Sequence, residues 1–451
     1  MNSFDVFDTL LARRYLNSEP VWLQLERESE IENFAELRKA EDTGSRNLYE
    51  IYDVLVAKGI VQPAQRLQLI QREIELEIQG SIPVRKNLDR VQHGDMLISD
   101  MYLPAAAILQ LVRSVGMDKQ VTLYQSNGDK SNGSVWPRLK NKPEVHLGDN
   151  RVSDYERPTA AGVNAEWYNP ATELNAVEHT LVDIDQLSLA LLTREIRLGE
   201  NYTGLGNEYF SSANNHNLPL LFFLAEMINK HYGNRNLVFL GRDCQLLHRL
   251  YNAYYDSAAS YLPFSRQVAY DTPEAAVQYL KTHSPENPLF IDISSTGGTW
   301  EKLQSGLNVL VAIYSDTSHY TLEKPTLPEG FGYLTSNSQI GPTNLLLEVM
   351  NCGDHGHLDK IEIHDGKLMQ VHFAEPELPE HIISTIHKPV DRAVALADVY
   401  RDSIRTELRK LDDVELVKWF GSFAAAICSR QDLQLGSFLE KETAYLEQFT
   451  K

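Results

Sequence analysis

Apolar and polar positions alternate with different periods along the chain, and the period divides it into blocks. A short apolar run at Ser3–Phe7 reads as a buried strand that ends in acids and a threonine. From about residue 20 to 92 the pattern is almost wholly helical. Val21–Glu28, Leu48–Lys58 and Ala64–Gln79 carry apolar residues three and four apart, with charges between them. Strand signals return at Asp95–Ser99, Val121–Gln125, Val145–Leu147 and Ala165–Tyr168, separated by helical stretches. Strands that alternate with helices predict a parallel, helix-covered sheet. Because the strand series is interrupted after its first member, residues 13–92 are expected to form an inserted helical cap.

A polar stretch from Asn201 to Asn217 reads as a boundary, and a second alternation follows. It runs strand Asn236–Leu240, helix Gln245–Tyr255, strand Pro288–Asp292, helix Thr299–Gly306 and strand Val309–Tyr314. The C-terminal part is again mainly helical, notably Val390–Leu411 and Val414–Cys428. The chain shows no internal repeat and no low-complexity tract.

Composition narrows the classes. The 451 residues are 43% hydrophobic and 23% charged, with 25 Gly and 19 Pro, which excludes collagen-like and wholly disordered chains. Asp and Glu number 62 against 42 Lys and Arg, a formal net charge of −20. That field opposes binding to a nucleic-acid backbone and favours a small phosphorylated or metal-bound metabolite as partner. Three widely spaced cysteines, Cys244, Cys352 and Cys428, suit a reducing compartment. The opening MNSFDVFDTL has acids within its apolar stretch and no basic flank, unlike a signal peptide. Apolar runs such as Leu218–Ala225 fall short of the ~18 residues that span a bilayer. A cytoplasmic protein with no membrane or nucleic-acid partner is expected.

Candidate chemistry lies at the strand ends, where open α/β sheets place ligands. Asp5 and Asp8 follow the first strand. A carboxylate there can attack phosphorus if a divalent cation screens its repulsion with phosphate. Further acids follow another strand in Gly148-Asp149-Asn150-Arg151-Val152-Ser153-Asp154. Between them, Ser99 follows a strand with a hydroxyl suited to a phosphate oxygen, and Lys130 offers a cation in Asn127-Gly128-Asp129-Lys130-Ser131. Any one of these residues alone is commonly a helix cap, a turn or a surface charge. Four pieces in order at strand ends form a constellation.

This constellation resembles the haloacid dehalogenase superfamily: Asp5-x-x-Asp8-Thr9-Leu10, then Ser99, Lys130, and Gly148-Asp149 with Asp154. The resemblance covers about 1–175. It implies a Rossmann-like core with a helical cap, and an aspartyl-phosphate formed on Asp5. It also implies Mg²⁺ held by Asp5, the backbone carbonyl of Phe7 and Asp149, with Asp154 supporting the site and Thr9 beside the substrate. One departure stands out. Phosphatases of the family usually carry a second Asp two residues after the nucleophile as general acid and base, and here that position is Phe7. Loss of such a group typically costs about 10²–10⁴ in rate. Asp8 is one residue further on.

The second informative stretch runs from Pro288 through Asp292-Ile293-Ser294-Ser295-Thr296-Gly297-Gly298-Thr299. A strand reaches an acid and then a Gly turn that opens a helix, a pattern that lets backbone N–H groups approach an anion. It is similar to the phosphoribosyl-pyrophosphate loop of type I phosphoribosyltransferases. Upstream, Gly241-Arg242-Asp243 follows another strand, where those enzymes hold pyrophosphate. The resemblance covers roughly 230–335 and implies that Arg242, Asp243, Asp292, Ser295, Thr296, Gly297, Gly298 and Thr299 bind the donor. A mobile loop is expected around Phe264-Ser265-Arg266. The family usually has two adjacent acids before the turn, and here the first is Ile291. Cys352-Gly353-Asp354-His355-Gly356-His357 has metal-ligand residue types but matches no common zinc spacing.

The expected architecture is α/β throughout: a capped core domain over 1–175, a second α/β domain over 176–345 with a helical lead-in, and a mainly helical extension over 346–451. The expected function is a Mg²⁺-dependent phosphatase joined to a domain that makes its phosphorylated nucleoside-like substrate. The alternative is a catalytically degenerate binding or assembly protein that senses a phosphorylated sugar.

Overall fold

The computed structural model describes residues 1–126, 128–303, 306–316, 327, 329–340, 345–364, 367–376, 378–430 and 433. Asn127 and residues 304–305, parts of two stretches read above, lie outside the described residues. The chain is mixed α/β and forms two compact units. The first comprises Met1–Ala176 with Arg197–Asn201, and the second Val177–Ile196 with Tyr202–Lys451. Among the described residues no helix is long and apolar enough to cross a membrane.

The first unit contains β1 (Ser3–Phe4), β2 (Leu11–Arg13), β3 (Ser81–Pro83), β4 (Met96–Ser99), β5 (Thr122–Gln125), β6 (Val145–Gly148) and β7 (Asn164–Trp167). Five of these form one parallel sheet in the order β5-β4-β1-β6-β7. In chain order that is third-second-first-fourth-fifth, and the order reverses between β1 and β6. The sheet buries both faces: Leu97 points into one apolar core and Ile98 into another with Trp136. Between the antiparallel pair β2 and β3 lie the helices Glu19–Ser29, Phe34–Ala40, Leu48–Ala57 and Arg66–Gln79. Leu48–Ala57 begins where it does because Asn47 and Glu50 form a reciprocal capping box. Within this insert the buried Arg38 guanidinium grips Glu73 through two bonds of 3.2 and 2.7 Å, and the Tyr52 hydroxyl donates to the same carboxylate. A buried ion pair joined by two hydrogen bonds holds a defined arrangement of the helices at little net gain in stability.

The second unit contains β8 (Leu237–Leu240), β9 (Ser260–Leu262), β10 (Leu289–Ser295), β11 (Val309–Tyr314), β12 (Phe331–Ser336), β13 (Leu358–His364) and β14 (Lys367–Phe373). Its parallel sheet has the order β12-β11-β10-β8-β9, and β13 and β14 form an antiparallel ribbon. Along β10, Leu289, Ile291 and Ile293 enter one core while Phe290 enters the other, the two-residue period of a strand covered on both faces. The larger core also takes Ile383, Ile386, Tyr400, Phe420 and Ile427 from the C-terminal helices. Those helices, set apart in the sequence reading as an extension, therefore share the second unit's core.

The polar stretch 201–217, read as a boundary, opens where the chain passes from one unit to the other at Asn201–Tyr202, and its interior is helical: Gly204–Ser212 is followed by a wider turn through Asn217. Its buried amides donate to main-chain carbonyls, Asn214 to that of Thr193 and Asn217 to that of Met350, each at 3.0 Å. The segment read as one helix over Val390–Leu411 is two, Glu380–Ala395 and Ala397–Leu408, parted at Leu396. The loop expected to be mobile around Phe264–Arg266 is tied down. Phe264 is buried, and the Ser265 hydroxyl both caps the helix Arg266–Asp271 and bonds the Leu358 carbonyl.

Candidate functional site

In the first unit, β1 and β6 lie side by side at the point where the strand order reverses, so their C-terminal ends face the crevice in which such sheets bind ligands. Asp5 leaves β1 there, its N–H bonded to the Leu147 carbonyl at 2.8 Å. Asp149 and Asp154 leave β6. The carboxylate oxygens of Asp5, Asp149 and Asp154 all lie within 4.8 Å of one another. Lys130 enters among them, almost fully buried. Its ammonium bonds the Asp5 carboxylate and meets Asp154 Oδ1 at 2.8 Å.

The charge pattern is uneven. Burial pushes Asp149 up to about 8, with the negative charges of Asp5 and Asp8 adding to the shift. Burial also raises Asp5 to about 7, against the pull of Lys130. Burial acts on Asp154 too, but the Lys130 ammonium and the His146 ring outweigh it and hold Asp154 at about 2. Burial favours a neutral Lys130 amine, yet two carboxylates keep it charged. Asp154 is also the most tightly held of the three acids. Its Oδ1 bonds His146 Nε2 at 2.9 Å, and its Oδ2 receives Asn150 N–H at 3.0 Å and the Ser153 hydroxyl at 3.3 Å.

Gly148 is dictated by this packing. A Cβ there would lie 2.3 Å from Asp154 Cγ, a distance at which the carboxylate must move. The pair Gly148-Asp149 thus has two tasks: the first residue makes room for one acid and the second is another.

Ser99 ends β4 beside β1. Its hydroxyl accepts the Met101 N–H at 3.3 Å, and no bond from it to the acids is present. Thr9 is buried and donates to Asp5 Oδ2 at a long 3.4 Å. Asp8 occupies a turn in the left-handed region, φ 55°, near enough for its charge to act on Asp149 and Arg13. Phe7 is buried with the Arg13 guanidinium 4.6 Å above its ring.

Two residues that the sequence reading missed complete the arrangement. Asp100 accepts bonds from Ser126 Oγ, Lys130 N, Ser131 N and Ser131 Oγ, and so anchors the short helix that carries Lys130. His146 lies beneath Asp154 and links it to the Ser3 hydroxyl at 2.8 Å. Asp100 follows the noted Ser99 directly, a signal that was in view. His146 sits in a strand interior, where histidine carries no motif.

In the second unit, the ends of β8 and β10 border a cavity of about 130 Å³ at the reversal point of that sheet. Arg242, Asp243, Asp292, Ser295 and Thr299 line it, so two segments separated by 50 residues in sequence meet there. Thr296, Gly297 and Gly298 form the turn behind it and are not among its lining residues. The strand read as ending at Asp292 continues to Ser295, because Ser294 and Ser295 extend the ladder with Ile313 and Tyr314. Asp292 is therefore within the strand, and the helix after the turn is described over Gly298–Leu303. Burial raises Asp243 to about 6, and burial with the charges of Asp243 and Glu348 pushes Asp292 well above the carboxylate range. Glu348 and His357 also line the cavity, and sequence reading missed both as site residues. The Cys352–His357 stretch does not form a ligand set. Instead Asp354 exchanges two bonds with Gln245, of 2.6 and 2.9 Å, and His355 bonds the Tyr261 hydroxyl at 2.8 Å.

No protein-family model matches the chain, and no curated protein sequence is detectably similar to it.

Proposed function

We propose that the first unit is a Mg²⁺-dependent phosphatase of the haloacid dehalogenase type, which acts through Asp5 on a small phosphorylated metabolite. The observation that carries this reading is the buried Asp5–Lys130–Asp154 arrangement with Asp149 beside it at a strand-order reversal. A structural ion pair needs one acid per ammonium. Here a second and a third carboxylate are gathered around one lysine, and two of them are held against ionisation by burial.

The residues fit a hard divalent cation. All their donors are oxygens, and Asp154 is saturated by protein donors, which leaves Asp5 and Asp149, with the Phe7 carbonyl, as the groups to hold Mg²⁺. When bound, the cation supplies the positive charge that keeps Asp5 ionised and lets phosphate approach. Asp5 Oδ then attacks phosphorus, the bond from phosphorus to the ester oxygen breaks, and the released alkoxide takes a proton. Lys130 balances the charge on the attacking carboxylate and the phosphoryl oxygens. Water next attacks phosphorus, and Asp5 leaves as the carboxylate. Asp8 is the acid that remains for the proton transfers, since Phe7 occupies the usual position.

In this reading the second unit binds a phosphorylated sugar donor such as phosphoribosyl pyrophosphate at Arg242, Asp243, Asp292, Ser295 and Thr299, and supplies a phosphorylated product to the first. Phe7, wedged beneath Arg13, favours the alternative of a binding protein without turnover.

Hydrolysis of a panel of sugar and nucleoside 5′-phosphates, with and without Mg²⁺, separates the two. The expected result is turnover that Asp5→Asn abolishes and that Asp8→Asn lowers by about 10²–10⁴. Silence of the wild type across the panel, with Mg²⁺ bound, supports the alternative.

A further inference from the structure

Of the three clustered acids of the first unit, Asp5 and Asp154 are held by hydrogen bonds to their carboxylates, and among the described residues the Asp149 carboxylate has none. The charges of Asp5, Asp8 and Asp154 all oppose its ionised form. Its side chain therefore does not anchor itself, and what keeps it in the group is its main chain.

That main chain is gripped on both sides of one peptide. The Asp149 carbonyl accepts the Trp167 indole N–H at 2.6 Å, and the Asn150 N–H of the same peptide donates to Asp154 Oδ2 at 3.0 Å. A planar peptide held at its oxygen and at its nitrogen does not swing, and this fixes ψ of Asp149. The residue before it is fixed as well. Gly148 pairs with Trp167 across β6 and β7, and its carbonyl accepts the Tyr168 N–H at 2.8 Å. Beyond the peptide, Asn150 Oδ1 accepts from Val152 and Ser153 N–H, each at 3.0 Å, and starts the wider turn Arg151–Glu156.

Trp167 takes its own place from the sheet, as the last residue of β7. Its ring is 48% exposed, with the Arg151 guanidinium 5.9 Å from the centroid. So exposed a ring adds little to the core, and its N–H can be removed without unpacking the sheet.

We propose that Trp167 is a positioning residue of the first site: with Asp154 it clamps the peptide between Asp149 and Asn150, and so presents the Asp149 carboxylate to a cation shared with Asp5. The proposal rests on the reading of the first unit as a Mg²⁺ site and adds Trp167 to it.

The test compares the full wild-type chain with Trp167→Phe, which keeps a ring and removes the donor. Without metal, amide exchange across residues 148–156, followed by mass spectrometry, is expected to speed up about fivefold in the variant, as the loss of one hydrogen bond allows. Binding of Mn²⁺ is followed by electron spin resonance, and Asp149→Asn identifies the ion that belongs to this site. Trp167→Phe is expected to weaken that ion about tenfold, while the melting temperature of the metal-free chain stays nearly unchanged. Equal Mn²⁺ affinity in wild type and variant overturns the proposal whether or not exchange changes. Weakened Mn²⁺ with unchanged exchange overturns it too, because the clamp is then not the route. A wild type that binds no ion sensitive to Asp149→Asn overturns the Mg²⁺ reading itself, and this proposal with it, a result distinct from equal affinities.

Discussion

Both parallel sheets place acids where their strand order reverses, and they handle the resulting charge in opposite ways. In the first unit a buried ammonium, Lys130, sits among the carboxylates, and Asp154 is anchored by four donors. In the second unit Arg242 lowers Asp243, but among the described residues no lysine enters the acid set, and Asp292 faces two further acids. Two sheets of different strand order, alike in having a reversal, can therefore carry two charge patterns. A carboxylate paired with a fixed cation is suited to act as a nucleophile. Carboxylates gathered with no ammonium among them repel one another and are pushed toward the protonated form.

The largest way to break that comparison is to remove the internal cation. Lys130→Met leaves Asp5 and Asp154 without their partner and is expected to cost about 3–5 kcal/mol in metal-free stability. Urea unfolding at neutral pH measures it. A loss below about 1 kcal/mol, the range of exposed ion pairs, would mean that Lys130 does not organise the acids and that the two sites are alike.

The next effect is on cation binding. Metal-free Asp149 and Asp5 titrate at about 8 and about 7, both raised. Both therefore carry protons at pH 6 that a bound cation must displace, whereas at pH 8 Asp5 is mostly ionised and Asp149 about half. For the same reason the metal-free fold loses stability as pH rises through this window, since ionisation is opposed in the folded state, and Mg²⁺ restores it. The apparent Mg²⁺ affinity of the first site, titrated calorimetrically, is expected to rise by several hundredfold, about tenfold from Asp5 and about fiftyfold from Asp149, between pH 6 and 8 with proton release. A flat profile would show that these carboxyls are already ionised.

What could be read from sequence follows from where the physics is local. The acids near strand ends were legible because short apolar runs give way to polar residues around Asp5, Ser99 and Gly148, but the ends themselves were less so: the first strand, read to Phe7, stops at Phe4, and the one read to Asp292 continues to Ser295. The helical insert between β2 and β3 was legible because its faces repeat every three to four residues. Asp100, His146 and Glu348 were not, because their roles exist only once distant segments meet: Asp100 with Ser131, His146 with Asp154, Glu348 with Asp292. The polar stretch 201–217 was legible as a boundary, and the units do divide at Asn201–Tyr202, but its helical interior was not: the Asn214 and Asn217 amides are each buried against a carbonyl more than 20 residues away. The break at Leu396 is a change of helix direction inside an unbroken apolar pattern, which periodicity does not register.

The smallest effects sharpen the comparison at the two glycines that precede the acids. At Gly148 the added Cβ of alanine meets Asp154 Cγ, Cβ and Oδ1 at 2.3, 2.5 and 2.7 Å. That acid is tied to Lys130, His146 and Asn150, so the clash is not relieved by a rotation. Gly148→Ala is expected to cost about 1–3 kcal/mol, as overpacking does, and to weaken Mg²⁺ binding because Asp149 moves with its neighbour. Gly241 precedes the second set with φ 79°, and its added Cβ lies 3.1 Å from Asp243 Oδ1. Asp243 lines an open cavity into which it can turn, so Gly241→Ala bears mainly backbone strain: φ 79° with ψ 166° is a region essentially reserved for glycine, and leaving it costs about 1–3 kcal/mol. The two variants are therefore expected to melt lower by similar amounts, and Mg²⁺ binding separates them: Gly148→Ala weakens it at the first site while Gly241→Ala leaves that site unchanged. A Gly148→Ala chain that bound Mg²⁺ as tightly as the wild type would mean that Asp149 and Asp154 are not held in place by that packing.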